Sequence, residues 1–172
     1  MSKALKSWSG MRKYLEKEML AENLQGRIRY NCTSYVNMHG ENIFEIFVDD
    51  KLVKQFSLET VNSYFRKSFD FPNGKDENSE YWDGFWSTLD NTPMNMRDEY
   101  TDDEFCTALE MYRNHDVFES INSDNPIVRM FSVLDRRIGK RTLENLKETL
   151  ETQPKWLQEF YVLRLGSCNG RC

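Results

Sequence analysis

The sequence predicts an α+β fold: an N-terminal helix, an antiparallel meander of about three strands, and a helical C-terminal half. Three observations predict it. Apolar residues recur at helical spacing before residue 20, alternate with polar residues between residues 28 and 56, and return to helical spacing over most of the chain after residue 100. Because 172 residues is close to the usual size of one domain, a single compact domain is expected.

Charge is distributed unevenly along this domain. The formal net charge is −5, yet residues 70–110 alone carry 12 Asp/Glu and 2 Lys/Arg. Residues 1–69 carry 11 Lys/Arg and 8 Asp/Glu, and residues 111–172 carry 10 and 8. We therefore describe one domain, residues 1–172, in four parts: helix–meander–helix (1–69), an acidic, aromatic-rich segment (70–110), a helical part (111–166) and a flexible tail (167–172).

The first predicted helix lies in WSGMRKYLEKEML. Ser9 is a suitable N-cap, because its hydroxyl can accept from a free N–H of the first turn. The apolar residues recur at helical spacing, at Trp8, Met11, Leu15 and Met19. A helix with one apolar face has to pack on another element, and the meander follows directly.

Three β-rich stretches follow, GRIRYNCTSYV, NIFEIFVD and KLVKQFS. Side chains alternate between the two faces of a strand, so the first stretch has one face made of Ile28, Tyr30, Cys32, Ser34 and Val36. The second stretch likewise has one face made of Phe44, Ile46 and Val48. The turn candidates MHGEN and DDK are both of hairpin type, so an antiparallel meander is the simplest topology.

Helical spacing returns after the meander. SLETVNSYFRKSF begins at Ser57 and carries the stripe Leu58, Val61, Phe65 and Phe69. After a loop rich in Pro, Gly and Asn, the pattern from Trp82 to Leu89 predicts a short helix despite Gly84. In TDDEFCTALEMYRNHDVFESI, Thr101 and Glu104 have the spacing of a capping box, which predicts a further helix.

The rest of the chain predicts three helices. Asn125 followed by Pro126 is typical of an N-cap and first helical position, and Gly139 is expected to end this helix. Its apolar stripe is Ile127, Met130, Phe131, Leu134 and Ile138. A second helix is expected to carry Leu143, Leu146 and Leu150. The third begins at Pro154 and ends by Gly166.

Few residues of this chain could form a common catalytic or metal-binding motif. The chain has 2 histidines, His39 in a predicted turn and His115 in a predicted helix, and on one continuous helix Cys106 would point away from His115. The sequence contains no nucleophile-elbow, phosphate-loop, dinucleotide or zincin motif, and DEYTDDE lacks the glycine of a calcium loop. We therefore expect no catalytic residue, no metal site and no cofactor.

The sequence also bears on location. The N-terminal segment has no unbroken apolar region, and no stretch approaches the roughly 18 apolar residues of a membrane span. We expect a cytoplasmic protein without membrane association, in which the thiols stay reduced. Cys168 and Cys172 in SCNGRC supply at most half of a zinc site, and otherwise belong to a frayed tail that carries two thiols.

The run VLDRRIGKRTL, residues 133–143, concentrates basic residues. On a helix whose buried stripe centres on Leu134, Arg136 points to water, whereas Arg137 lies at the edge of the stripe and should pair with a carboxylate. Lys140 and Arg141 open the next helix, where free N–H groups could help to hold a phosphate. The candidate anion site is therefore Arg137, Lys140 and Arg141. The acidic total charge argues against binding of duplex nucleic acid.

Aromatic residues are interleaved with carboxylates in the acidic segment. A surface of this kind suits a basic protein partner, because aromatic side chains supply buried area and carboxylates steer association. The candidate partner-binding residues are Tyr81, Asp83, Trp86, Asp102 and Asp103. The alternative is that the aromatic residues are core and the acids a solvated face, since the spacing from Trp82 to Leu89 also fits core packing.

Both ends of the chain resemble one family. The segments NPIVRMFSVLDRRIGKRTL and PKWLQEFYVLRL, with WSGM and LQGRIRYNCTSY near the N-terminus, are similar to small bacterial cytoplasmic proteins that share an LDRR[VI]GKR-type motif. The resemblance implies a bacterial, cytoplasmic protein and brings no assigned activity.

Two functional hypotheses follow from these residues. The first is a non-enzymatic interaction protein whose acidic segment binds a basic partner, as an immunity or antidote protein would. The second is a binder of a small phosphate-like anion, or an unrecognised enzyme, centred on the LDRRIGKR motif.

Overall fold

The computed structural model describes residues 7–34, 41–68 and 78–168. A helix, a three-stranded antiparallel sheet and a largely helical remainder follow one another along the chain, which confirms the predicted α+β class. His39, Cys172 and the predicted loop at residues 69–77 lie outside the described residues.

The N-terminal helix has two parts. Helix α1, Trp8–Lys13, continues into a π-helical segment, Tyr14–Met19. Its N-cap is Ser7 rather than Ser9, because the Gly10 N–H donates to the Ser7 hydroxyl over 3.3 Å. The predicted apolar face is turned to the core, with Leu15 and Met19 buried.

The sheet has the predicted meander topology. Strands β1 (Ile28–Ser34), β2 (Asn42–Val48) and β3 (Lys51–Phe56) pair in that order. The two residues between β2 and β3, Asp49 and Asp50, have φ of 48° and 64°, and a two-residue hairpin turn of this kind matches the twist of the strands. The faces predicted for the first two strands are buried at Ile28, Tyr30, Phe44 and Ile46, and Phe56 of β3 is buried with them.

Two helices after the sheet form a core of their own. Helix α2, Leu58–Ser68, starts at Ser57, whose hydroxyl accepts from the Thr60 N–H over 3.2 Å. Helix α3, Ser79–Asn91, is capped by the Asn78 side chain. Their buried side chains are separate from the main core, and we call them the satellite cluster: Val61, Phe65, Tyr81 and Phe85.

The other helices enclose the main core against the sheet. They are α4 (Asp102–Asn114), α5 (Val117–Ser120), α6 (Pro126–Leu134), α7 (Lys140–Asn145) and α8 (Lys155–Cys168), with a 3₁₀ helix at Leu146–Thr152. The predicted capping box of α4 and the Asn125 cap of α6 are both present. The single helix expected from Asp102 onward is interrupted, because the Asp116 carboxylate accepts from the Phe118 N–H and starts α5.

Helix α6 ends earlier than the sequence predicts. It stops at Leu134 rather than at Gly139, and Gly139 is instead the N-cap of α7. The Ala21 N–H donates to the Leu134 carbonyl over 3.0 Å, and the Arg136 N–H donates to the Met19 carbonyl over 2.9 Å. These bonds to the chain around the end of the π-helical segment replace the hydrogen bonds that a longer α6 would make. We call residues 134–137 the LDRR turn, and it joins the N-terminal helix to the C-terminal helices.

Candidate functional site

A groove of about 750 Å³ opens between α3 and the start of α4, and we call it the Trp86 groove. Its apolar lining residues are Leu58, Trp86, Leu89, Pro93 and Met94. Its acidic lining residues are Glu41, Asp90, Asp102, Asp103 and Glu104, and the basic one is Arg97. A concave site of roughly 300–1,000 Å³ is large enough to receive a few inserted side chains.

Helix α4 fixes the acidic wall of this groove. The Thr101 hydroxyl accepts from the Glu104 N–H over 3.2 Å, and the Glu104 carboxylate accepts from the Thr101 N–H over 2.9 Å. The helix therefore begins at Asp102, and both Asp102 and Asp103 stand in its first turn, where the helix dipole favours negative charge. Asp102 is also tied to β2, since its carboxylate accepts from the Asn42 N–H over 3.1 Å.

The cation in the groove is already neutralised. The side chain of Arg97 is 2% exposed, and its Nη2 lies 2.5 Å from Glu104 Oε1. The guanidinium also lies over the ring of Tyr100, 5.6 Å from its centroid. Because Glu104 balances Arg97, Asp90, Asp102 and Asp103 leave the lining of the groove with an excess of negative charge.

Trp86 is presented to solvent while its neighbours are not. It is 45% exposed, and its ring packs edge-on against the buried Phe85 with centroids 5.1 Å apart. Tyr81, one turn earlier on α3, belongs to the satellite cluster. Its hydroxyl donates to Asn62 Oδ1 and accepts from Arg66 Nε over 2.9 Å.

The structure thus brings three of the five predicted partner-binding residues together in the groove and leaves two outside it. Trp86, Asp102 and Asp103 line one groove although they are distant in sequence. Tyr81 is buried, and Asp83 is exposed on α3 but is not a lining residue.

Three acids of this groove were not among the predicted partner-binding residues: Glu41, Asp90 and Glu104, which was predicted only as the acid of the capping box. Asp90 follows Trp86 by one helical turn, so helical spacing alone could have identified it. Glu41 adjoins β2 and reaches the groove only through the tertiary fold, for which the sequence holds no local signal.

Asp135 organises the LDRRIGKR motif. Its carboxylate is buried and accepts from the Arg137 N–H and from Arg137 Nη2, each over 2.7 Å. The Tyr112 hydroxyl donates to the same carboxylate. This confirms that Arg137 pairs with an acid. Burial and the bond with Asp135 raise the pKa of Tyr112, and the bond with Asp135 raises the pKa of Arg137.

The two other candidate anion-binding residues lie on the surface. Lys140 and Arg141 are exposed in the first turn of α7, and Lys140 Nζ is 4.0 Å from Glu144 Oε1. Arg137 is directed to Asp135 and Tyr112. Binding of an anion by Arg137, Lys140 and Arg141 stays a prediction.

A buried lysine joins the sheet to the segment before α4. Lys54 Nζ donates to the Asp98 carbonyl over 2.5 Å and to Glu99 Oε2 over 2.7 Å. It faces three aromatic rings, with centroids 5.8, 5.5 and 5.4 Å away, in Phe56, Tyr100 and Trp156. Burial lowers the pKa of Lys54, and the Glu99 carboxylate opposes that change.

A second, polar cleft of about 590 Å³ lies where α2 meets the outer face of the sheet. Three glutamates line it, Glu45, Glu59 and Glu99, together with Lys67. Glu45 accepts from Asn31 Nδ2 over 2.9 Å, and Glu99 pairs with Lys54. These contacts fix two of the three carboxylates to the protein itself.

The potential metal ligands and nucleophiles are dispersed. Among the described residues, no three His, Cys, Asp or Glu side chains are grouped so that they could hold a metal ion. Cys32 and Cys106 are free thiols. Burial raises the pKa of both, to about 11 for Cys106, so at neutral pH they are protonated and weakly nucleophilic.

Comparison with known proteins identifies the family. A sequence model of the SF0329 protein family matches residues 7–165, which is most of the chain. The chain belongs to the SF0329 protein family. A search of curated proteins and a search of solved structures each found no match.

For this SF0329 family member, the matched range contains the whole Trp86 groove and the LDRRIGKR motif. In the described part of the chain, no helix is both long and apolar enough to cross a membrane. The groove combines fixed negative charge with an exposed indole and a rim of apolar side chains.

Proposed function

We propose that this SF0329 family member is a non-enzymatic interaction protein that binds a basic segment of a partner protein in the Trp86 groove. The observation that carries the proposal is the meeting of Trp86 with Asp90, Asp102 and Asp103 in one concave surface. All four lie in residues 70–110, the segment that carries 12 Asp/Glu and 2 Lys/Arg.

The apolar lining gives the partner a place to bury surface. Tryptophan is among the residues that contribute most to binding free energy at interfaces. Trp86 is held in position by Phe85, and Leu89 and Met94 are half-buried beside it. An apolar or aliphatic portion of the partner, including the stem of an arginine, would be desolvated against this wall.

The acidic lining favours a partner with positive charge. Carboxylates around a cleft attract a basic segment and raise its association rate, and the effect weakens as salt concentration rises. Asp90 and Asp103 are exposed and have no hydrogen bond or ion pair with the described residues, so both are accessible to a partner's Lys or Arg.

The proposal is tested by capture from a lysate of the source cells with four forms of the full chain. These are wild type, Trp86→Ala, Asp90→Asn with Asp103→Asn, and Glu148→Gln with Glu151→Gln. The last form is the control, because it removes two exposed carboxylates of the 3₁₀ helix and so changes the net charge equally.

We expect wild type and the control to retain the same basic protein at low salt and to release it at high salt. Both groove variants should fail to retain it while keeping a melting temperature within about 4 °C of wild type, since the loss of Asp103 from the first turn of α4 costs at most about 1 kcal/mol. Equal retention by all four forms, or retention by none at low salt, would overturn the proposal.

We further infer a bacterial cytoplasmic setting and a role of the immunity or antidote kind. The LDRRIGKR motif and the segments NPIVRMFSVL and PKWLQEFYVLRL support the setting by their resemblance to small bacterial cytoplasmic proteins. The acidic groove supports the role, since a protein that neutralises a basic partner needs a complementary surface.

A further inference from the structure

A cavity of about 470 Å³ lies beside the LDRR turn and is distinct from the Trp86 groove. Its lining residues are Ala21, Glu22, Asn23, Arg136 and Arg164. Two guanidinium groups from separate elements therefore face one concave surface, which also receives an amide side chain and one carboxylate. The lining carries a net formal charge of +1 in a protein whose total charge is −5.

The first arginine, Arg164, is fixed in the wall of this cavity. It comes from α8 and is 6% exposed. Its Nη2 donates to the Ile138 carbonyl over 2.9 Å, and its Nη1 lies 3.4 Å from Asn23 Oδ1. These bonds position the guanidinium before any ligand arrives, so less conformational entropy is lost on binding.

The second arginine, Arg136, has a fixed backbone and an available side chain. Its N–H donates to the Met19 carbonyl over 2.9 Å, and its neighbour Asp135 forms a β-bridge with Leu20. The side chain is exposed, and within the described residues its guanidinium makes no hydrogen bond or ion pair. The two arginines of the motif therefore have different surroundings: Arg137 is bonded to Asp135, and Arg136 faces the cavity.

We propose that this cavity binds the phosphate group of a small phosphate-bearing molecule between Arg136 and Arg164. A planar guanidinium forms paired N–H bonds with phosphate oxygens, which is why arginine is favoured for this recognition. The volume exceeds that of a phosphate alone, so the cavity has room for part of the organic group. Glu22 at the same surface would accept from a hydroxyl or amine of that group.

The test measures thermal unfolding of the full chain in about 10 mM inorganic phosphate, in about 10 mM adenosine monophosphate, and in chloride and acetate at matched ionic strength. The variants are Arg136→Gln and, as the control, Arg141→Gln. Each substitution removes one exposed guanidinium from the same motif. Only Arg136→Gln changes a residue that lines the cavity.

Wild type and Arg141→Gln should gain about 2–4 °C in melting temperature with phosphate or adenosine monophosphate. Arg136→Gln should lose that gain and keep its melting temperature in chloride. Phosphate also stabilises proteins by exclusion from their surface, but that effect would be equal in both variants.

The proposal would be overturned by no gain over chloride, by an equal gain in Arg136→Gln, or by a larger gain with acetate than with phosphate. A gain that is lost in Arg141→Gln instead of Arg136→Gln would place the site at the start of α7 and would also overturn it. None of these outcomes bears on the Trp86 groove, since neither arginine lines it.

Discussion

The carboxylate of Asp135 is the centre of the interactions around the LDRR turn. It is 1% exposed and accepts from the Tyr112 hydroxyl and from three N–H groups of Arg137. A buried carboxylate is tolerated only when its charge is balanced and its lone pairs are used. Arg137 balances the charge, which explains why a basic residue stands at this position.

Removal of this carboxylate should be costly. We expect Asp135→Ala to lower the free energy of unfolding by about 2–4 kcal/mol, because the Tyr112 hydroxyl and the N–H groups of Arg137 lose their acceptor. The half-exposed Arg137 can regain water, which keeps the loss below that of a fully buried pair. Urea denaturation measures the change. Arg141→Ala, at an exposed site of the same motif, should stay within about 0.5 kcal/mol of wild type.

Lys54 should make stability depend on pH. Burial lowers its pKa in the folded protein below the ordinary 10.5, so the folded protein releases this proton before the unfolded chain does. Between the two pKa values the unfolded chain binds more protons, and the free energy of unfolding therefore rises with pH. For each unit by which the pKa of Lys54 is lowered, the free energy of unfolding rises by about 1.4 kcal/mol across that window.

The measurement compares wild type with Lys54→Met by urea denaturation from about pH 7 to about pH 10. The difference in unfolding free energy between the two should move in favour of wild type as pH rises. Lys147→Met, at an exposed position, controls for the loss of one positive charge. A constant difference would show that the Glu99 carboxylate cancels the effect of burial, and a difference that moves the other way would show that it outweighs burial.

At the scale of elements, the start of α4 determines the geometry of the Trp86 groove. Glu104 both caps the helix and balances the buried Arg97, so its two roles should be separable by substitution. We expect a loss of about 3–5 kcal/mol for Glu104→Ala, which leaves a buried charge, and of about 1 kcal/mol for Thr101→Ala, which removes a cap. Asp103→Ala should cost about 0.3–1 kcal/mol through the helix dipole. Urea denaturation that gave another order would contradict these roles.

Elements with local signals were predictable, and those decided by tertiary contacts were not. The capping box of α4 and the alternation of β2 are written in adjacent residues, so both matched the structure. The predicted end of α6 was wrong because the Leu134 carbonyl accepts from the Ala21 N–H. No local sequence pattern reveals that contact. The groove was half predictable for the same reason: Trp86 and Asp103 were identified, whereas Glu41 was not.

At the scale of the whole molecule, two apolar cores differ greatly in size. The main core joins the sheet to the N-terminal helix and to α4 through α8, whereas the satellite cluster, among the described residues, consists of four buried side chains between α2 and α3. The Trp86 groove lies between them, with Trp86 on the satellite side and Asp102 on the main side. The width of the groove therefore depends on how firmly α3 stays packed.

Because so few buried contacts hold them, α2 and α3 should open locally at a lower free energy than the main core. We expect amide hydrogen exchange of the full chain to be faster in α3 than in α6. Phe85→Leu, in the satellite cluster, should accelerate exchange in α2 and α3 and leave α6 unchanged. Phe131→Leu, in the main core, should accelerate exchange throughout. If Phe85→Leu raised exchange equally in α6, the two clusters would form one cooperative unit, and the groove would be a rigid surface rather than one that adjusts to its partner.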